Sequence, residues 1–188
     1  RLVIDEAHAL GVFGDKGPGL VQELKLQDQV FARIINFVNG LGCDGAVILG
    51  SEELRQDLKN FLHSFRKATT LPPHSVAAIL TAYQNLERRN DEIEKLRDII
   101  SHFNQEKQQV GLKQIFVRSK SAIQSAILPG NENVKTIALK LEQNGFNIAA
   151  ILSPTVPEGQ QRLRFCLHSF NSKEEVSKVL HVLANSLF

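Results

Sequence analysis

The sequence predicts an α/β protein in two parts joined by a long helix, and three observations support this fold class. A short apolar strand, Arg1–Asp5, leads into an acidic pair, a histidine and then a glycine-rich stretch at residues 11–19. Open α/β sheets bind their ligands at the carboxyl ends of their strands, which is where these polar side chains lie. Apolar residues recur at helical spacing through residues 74–109, and strand and helix patterns alternate after Gly111.

The first part of the chain predicts three short, apolar, β-branched strands. They lie at Arg1–Asp5, Phe31–Phe37 and Ala46–Leu49. Ser51 is suited to cap a helix that runs to about Arg66, with two glutamates in its first turn. These residues predict part of a larger sheet domain over residues 1–72.

The middle of the chain predicts a linking helix over residues 73–110. Pro72-Pro73 stops the preceding element and can open the next helix. Its apolar residues follow three- and four-residue spacings, and Asn90-Asp91 marks a break or bend.

The last part, residues 111–188, predicts a small α/β domain. Gly145 lies at the expected position just beyond a helix end. The predicted strands are Ile115–Arg118, Ala122–Leu128, Phe146–Leu152 and Leu163–Leu167, and the predicted helices are Val134–Asn144 and Ser172–Leu187.

Composition excludes several classes of protein. A net charge of +2 is too small to indicate nucleic acid or an acidic membrane surface, and no apolar run approaches the length of a transmembrane helix. Cys43 and Cys166 are expected to be buried free thiols in a reducing compartment, which predicts a cytoplasmic protein. No zinc-type spacing is present. The chain begins with Arg1 and has no methionine, so we expect a piece of a longer protein.

Three separated segments contain residues that suit the binding of a cofactor and its substrate. They are Asp5 with His8, the glycine-rich run at residues 39–45, and Arg162-Leu163-Arg164 at the start of a late strand. A carboxylate at a strand end can keep a bound pyridine ring protonated on its nitrogen, as pyridoxal phosphate (PLP) enzymes require. An arginine fork suits a substrate carboxylate. The Asp-Glu-Ala-His segment is also typical of helicases, but no phosphate-binding P-loop accompanies it.

The sequence resembles the α-oxoamine synthases of PLP fold type I, as the second half of such a protein. The resemblance rests on motifs that occur in the family's order and at suitable spacing. These motifs are Asp5-Glu6-Ala7-His8, Gly11-Val12-Phe13-Gly14, Gly17-Pro18-Gly19, Thr69-Thr70-Leu71-Pro72-Pro73, Ser121-Ala122-Ile123-Gln124, Ser153-Pro154-Thr155-Val156-Pro157 and Arg162-Leu163-Arg164.

The resemblance implies a role for each matching residue. Asp5 would pair with the pyridinium nitrogen and His8 with the ring hydroxyl oxygen. Thr69 or Thr70 would reach the cofactor phosphate, in this family across a homodimer interface, and Arg164 would hold the carboxylate of the amino-acid substrate. The implied reaction condenses an amino acid with an acyl thioester with loss of CO₂.

The chain departs from the family pattern at the residue that forms the Schiff base. Asn39 stands where the family has its lysine, Asn36 where a phosphate-binding threonine is common, and Val38 where a glycine is common. An amide cannot form an imine. We therefore expect the chain to lack the family's catalysis, and a non-catalytic descendant kept for binding or dimerisation is the alternative to an enzyme.

Overall fold

The computed structural model describes residues 1–63, 70–88 and 90–187. The chain divides into two compact units, residues 1–93 and residues 94–188. Each unit contains its own three-stranded sheet. The mixed α/β class predicted from the sequence is confirmed, whereas the predicted boundaries at residues 72 and 110 stay predictions.

The sheet of the first unit contains the three strands expected there. Strand β1 covers Val3–Asp5, β2 covers Ala32–Asn36 and β3 covers Ala46–Gly50, in the order β1-β2-β3. β1 and β2 are parallel, with Asp5 opposite Ile34, whereas β2 and β3 are antiparallel. Because β1 and β2 are parallel, their carboxyl ends lie at the same edge of the sheet.

Strand β1 has only one strand partner among the described residues, so its other side is a sheet edge. Leu2 and Val3 are 55% and 51% exposed there. Strands of parallel sheets are usually buried on both faces, whereas these two adjacent apolar residues are open to solvent.

Among the residues that the structure describes, four helices accompany this sheet. They are α1 at Leu20–Glu23, α2 at Phe37–Leu41, α3 at Glu52–Phe61 and α4 at Pro73–Arg88. The serine cap predicted for α3 is confirmed, because Ser51 Oγ accepts a hydrogen bond from Leu54 N at 3.2 Å. Residues 64–66, where we expected this helix to end, lie outside the described residues.

The sequence did not predict α2, and the strand predicted to run through Phe37 ends one residue earlier. Asn36 Oδ1 accepts a hydrogen bond from Val38 N at 2.9 Å, which satisfies a free donor in the first turn of α2. The capping side chain thus ends strand β2 and begins the helix. Gly42, at φ +65°, closes the helix in the left-handed conformation.

The second unit is built on a fully antiparallel sheet, in the order β4-β6-β5. Helix α5 begins in the first unit and continues into this one. The elements are α5 at Asn90–Gln109, β4 at Ile123–Ile127, α6 at Asn131–Gln143, β5 at Ala149–Ile151, β6 at Arg162–Cys166 and α7 at Lys173–Leu187.

Two strand predictions in this unit are wrong in extent. The segment Ile115–Arg118 makes only an isolated bridge, Phe116 to Ala126, because a turn precedes it and the Ser119 turn follows it. The strand predicted from Phe146 begins at Ala149 instead. Phe146 N donates to Leu141 O at 3.0 Å, so this residue serves the end of helix α6.

Strand β6 has two unlike faces. Leu163 and Phe165 are buried, whereas Arg162 and Arg164 are half-buried on the other face and Cys166 is exposed. The cysteines are free thiols, as expected, but the prediction that they are buried is wrong. Alternation along β6 places Cys166 on the open side of the sheet.

The core of the second unit encloses a lysine. Lys107, on α5, is 6% exposed, and its Nζ donates to Gln124 Oε1 at 3.1 Å. The same Nζ lies 5.3 Å and 5.8 Å from the ring centroids of Phe116 and Phe103. Burial, with a smaller contribution from the positive charge of Lys113, lowers the pKa of this amine below its usual 10.5.

This lowered pKa predicts a pH-dependent stability. Between the folded pKa and 10.5 the unfolded chain binds more protons at this site than the folded chain, so the site's contribution to stability rises with pH. Lys107→Met is expected to remove that rise. Urea unfolding of both proteins, from neutral pH to pH above 10, measures the difference.

Lys178→Met is the matched control. Lys178 Nζ also lies over an aromatic ring, 5.7 Å from the ring centroid of Phe146, but Lys178 is exposed. The Lys178→Met protein is expected to keep the rise of stability with pH that the wild-type protein shows. A rise of the same size in the Lys107→Met protein would contradict the prediction.

Candidate functional site

The carboxyl edge of the β1–β2 pair carries the first predicted site residue. Asp5 is the last residue of β1 and is exposed. Its Oδ1 accepts a hydrogen bond from Ala7 N at 2.9 Å, and no other hydrogen bond joins its carboxylate to the described residues. One carboxylate oxygen is therefore available to a ligand at this edge.

His8 lies in the turn that follows directly. Ala9 N donates to Glu6 O at 3.0 Å to close this turn, and the His8 side chain is exposed. Leu10, which comes next, is 3% exposed and belongs to the core of the unit. The imidazole is thus held at the surface by a buried residue two positions further along.

Helix α2 packs on the same core and carries Asn39. Leu10, Ile35 and Phe37 form this core, against which Tyr83 of α4 packs with its ring centroid 5.9 Å from that of Phe37. A side chain at Gly40 would meet Leu10 at 3.0 Å, so α2 lies close to the segment that follows His8. Asn39 itself is exposed.

The second asparagine of this segment is partly occupied. Asn36 Oδ1 caps α2, which leaves its amide NH₂ as the group that could donate to a phosphate. Thr70 is exposed, whereas Thr69 lies outside the described residues.

Arg164 belongs to the other unit. It lies on β6 between Ser125 of β4 and Ala149 of β5. Its Nε is buried and has no hydrogen-bond partner within the described ranges. A buried guanidinium donor without an acceptor is costly unless a ligand supplies one.

The glycine-rich stretch forms a closed loop whose backbone only glycine fits. Gly11 N donates to Gly17 O at 2.9 Å, and Gly19 N donates to Phe13 O at 3.0 Å. Gly17 has φ +71°, and a Cβ added there would lie 2.8 Å from Gly11 Cα. The loop is therefore a compact structure that directly follows the turn with His8.

Sequence reasoning missed the pair that fastens this loop. Glu6 and Arg33 are 2% and 7% exposed and form an ion pair, with Arg33 Nε donating to Glu6 Oε2 at 2.6 Å. An available signal was the arginine inside the apolar run Phe31–Phe37. A charge inside a buried strand requires a partner of opposite sign.

Metal binding and membrane spanning find no support in the part of the chain that the structure describes. No group of three or more potential metal-ligating side chains occurs within residues 1–63, 70–88 and 90–187. In the same ranges, no helix combines the length and the apolar character needed to cross a bilayer.

Known proteins resemble this chain in sequence and in structure. The 8-amino-7-oxononanoate synthase of Emericella nidulans is 35% identical over 98% of this chain and 46% of its own length. That of Pseudomonas entomophila is 33% identical over 97% of this chain and 47% of its own. The chain thus spans about half the length of the curated relatives it matches.

Solved structures give the same result. The crystal structure of 8-amino-7-oxononanoate synthase from Francisella tularensis has a TM-score of 0.86 and 28% identity, covering 100% of this chain and 55% of that one. A structure of SPT with a PLP internal aldimine has a TM-score of 0.84 at 20% identity, covering 98% and 46%, and supports the fold alone.

These likenesses define the class: the fold is that of the PLP-dependent proteins of fold type I. The chain belongs to the aminotransferase class I and II family, whose sequence profile matches residues 1–183.

Two side chains at this edge suit the ring of PLP. The free oxygen of Asp5 suits a protonated ring nitrogen, and His8 is exposed in the turn that follows. Asn39, which we expected at the position of the family's Schiff-base lysine, carries an amide, and an amide cannot form an imine.

The loop geometry predicts that a methyl group added at Gly17 lowers the stability of the protein more than one added at Gly42, which lies outside the loop. Gly17→Ala and Gly42→Ala both place a Cβ at positive φ, but only the first meets the backbone of another residue, whereas Gly42 has nothing within 4 Å. Gly17→Ala is expected to destabilise the protein by about 1–3 kcal/mol more than Gly42→Ala. Denaturant unfolding measures both, and equal losses would contradict the loop geometry.

Proposed function

We propose that the intact protein descends from, and binds cofactor like, a PLP-dependent α-oxoamine synthase of the 8-amino-7-oxononanoate synthase type. Such an enzyme condenses an amino acid, alanine, with an acyl-CoA or acyl-carrier thioester and releases CO₂. The observation that carries the proposal is the Asp5 carboxylate at the carboxyl end of β1, with one oxygen free and His8 exposed in the next turn. The names of its relatives support the same assignment.

We assign the side chains that the sequence singled out to parts in holding the cofactor. When bound, PLP supplies an electron sink for negative charge that develops on the amino-acid substrate. Asp5 would hold the proton on the ring nitrogen, because a nearby carboxylate favours the charged form of a base. His8 would hydrogen-bond the ring hydroxyl oxygen, and the Asn36 amide would serve the phosphate. Thr69 or Thr70 would reach the phosphate across the homodimer interface.

Arg164 serves the substrate rather than the cofactor. Its Nε is buried and lacks an acceptor, which a substrate carboxylate would supply in a charge-assisted pair. Arg162 is less suited, because its Nε already donates to Gln160 O at 2.9 Å.

Asn39 favours a second candidate function. Without an amine at this position the protein as it stands would hold PLP only by non-covalent contacts and would not turn over substrate. A non-catalytic homologue that is kept for binding or for dimerisation fits this feature. We propose a homodimer in the cytoplasm in either case. The third candidate, a 2-amino-3-ketobutyrate CoA ligase-type enzyme, differs only in its substrates.

One test of this proposal places an amine at position 39. In the intact protein, Asn39→Lys is expected to attach PLP covalently at residue 39, because it returns an amine to the exposed position on α2. Borohydride reduction, digestion and mass spectrometry locate the added cofactor mass.

Val38→Lys is the matched control, because Val38 is a neighbouring residue of α2 and is 53% exposed. Equal labelling of both lysines would indicate only surface chemistry. Absence of label at position 39 would overturn the alignment of this segment with the family.

A further test of this proposal concerns the binding of the amino acid by Arg164. Truncating a buried, paired charge costs roughly 2–5 kcal/mol of binding. In the Asn39→Lys protein, Arg164→Ala is therefore expected to raise the KM for the amino acid about 30-fold or more. The KM for the acyl thioester should change little.

Arg162→Ala is the control for this measurement, since it removes the same charge from the same face of β6. Steady-state kinetics with each substrate varied in turn compares the two variants. Losses of equal size for both substrates would mark Arg164 as a structural residue, and a larger effect at Arg162 would move the assignment there.

A further inference from the structure

The acidic residue between Asp5 and His8 is the most completely bonded side chain of the site. Glu6 is 2% exposed, and its Oε1 accepts a hydrogen bond from Val21 N at 2.9 Å. Its Oε2 accepts a hydrogen bond from Arg33 Nε at 2.6 Å and forms an ion pair with Arg33 Nη2, which lies 2.5 Å away. Both carboxylate oxygens are therefore occupied within the protein, so Glu6 has no free acceptor for a ligand.

Arg33 extends the same network to the glycine-rich loop. Its Nη2 donates to Pro18 O at 3.1 Å. A Cβ at Gly19 would lie 2.8 Å from Glu6 Oε1 and 3.2 Å from Arg33 Nη2, so only glycine leaves room for the pair. The pair thus joins the end of β1, the middle of β2, the end of the loop and the start of α1.

Stability alone is a weak reason to bury such a pair. Two charges lose much of their hydration when buried. A pair of apolar residues of similar volume often stabilises a protein as much as such an ion pair, or more. A buried ion pair fixes one arrangement, since a displaced carboxylate would leave both charges uncompensated. This network therefore specifies a position more than it adds stability.

That position determines where the neighbours of Glu6 point. Successive side chains of a strand lie on opposite faces, so an inward Glu6 requires an outward Asp5. The Glu6 backbone continues the ladder, with Glu6 N donating to Ile34 O at 2.8 Å, and it also accepts from Ala9 N in the turn that carries His8.

We propose that the Glu6–Arg33 pair positions Asp5 and His8 for the cofactor ring. This inference rests on the proposed function, because it assigns a purpose to the pair only if this edge binds the ring. Glu6 and Arg33 are positioning residues that do not touch the cofactor.

The test uses 4-deoxypyridoxine 5′-phosphate, which carries the ring and the phosphate but no aldehyde, so lysines do not react with it. Glu6→Gln keeps the shape and the acceptor for Val21 N, but it turns an NH₂ toward the Arg33 fork. We expect the dissociation constant of this probe, measured by calorimetry below the unfolding transition, to rise roughly 10-fold or more. Arg33→Lys, which keeps the charge and loses the fork, is expected to act in the same direction.

Glu52→Gln is the matched control. Glu52 makes a comparable pair with Arg55, at 2.7 Å and 2.6 Å, but on an exposed face of α3. Its removal should leave the affinity for the probe unchanged.

A double-mutant comparison separates positioning from a general structural role. If Glu6 acts through Asp5 and His8, Glu6→Gln should lose most of its effect in an Asp5→Asn/His8→Gln background. A full effect in that background, or wild-type affinity in both Glu6→Gln and Arg33→Lys, would overturn the positioning role while leaving the proposed function intact. Failure of the wild-type protein to bind the probe would overturn the proposed function itself.

Discussion

A carboxylate and a guanidinium buried together impose the strictest constraint in the first unit. Each charge gives up water, and the loss is offset only while every donor and acceptor stays in place. Glu6 and Arg33 meet this condition with backbone groups of Pro18 and Val21 as well as with each other. The strand, the loop and the short helix α1 are therefore fixed with respect to one another by a single network.

The exposed chemistry of the unit follows from this buried network and from one apolar cluster. The network fixes the residue between Asp5 and His8, while Leu10 and Phe37 fix the two segments that carry His8 and Asn39. The geometry of the edge is consequently a property of the residues behind it. On our proposal, a substitution one position away from Asp5 alters ligand binding without touching the ligand.

Much of the fold could be predicted from the sequence because its signals are local. The β-branched strands of the first unit, the Ser51 cap and the glycine after α6 each depend on a few adjacent residues. The errors came where a residue bonded to a partner that the pattern of apolar residues does not reveal. Asn36 ended a strand by capping α2, and Phe146 completed a helix end instead of starting a strand.

The candidate site also contains residues that a local sequence motif predicts and residues that it does not. Asp5 and His8 could be proposed from a motif, because a strand end followed by glycines is visible in one stretch of sequence. The Glu6–Arg33 pair could not, because its members lie 27 positions apart and only the parallel pairing of β1 with β2 brings them together. The role proposed for Asn39 rests on the amine that its side chain lacks. Comparison with the family's motif reveals such a difference, whereas the contacts within the protein do not.

The open side of β1 has a consequence for the behaviour in concentrated solution of a protein that consists of these 188 residues alone. An apolar strand with unpaired backbone groups is a template for intermolecular pairing. A net charge of +2 and an isoelectric point near 8.6 provide little electrostatic repulsion against such pairing near neutral pH. Colloidal stability should therefore improve in mildly acidic buffer of low ionic strength, where like charges on neighbouring molecules keep the strand edges apart.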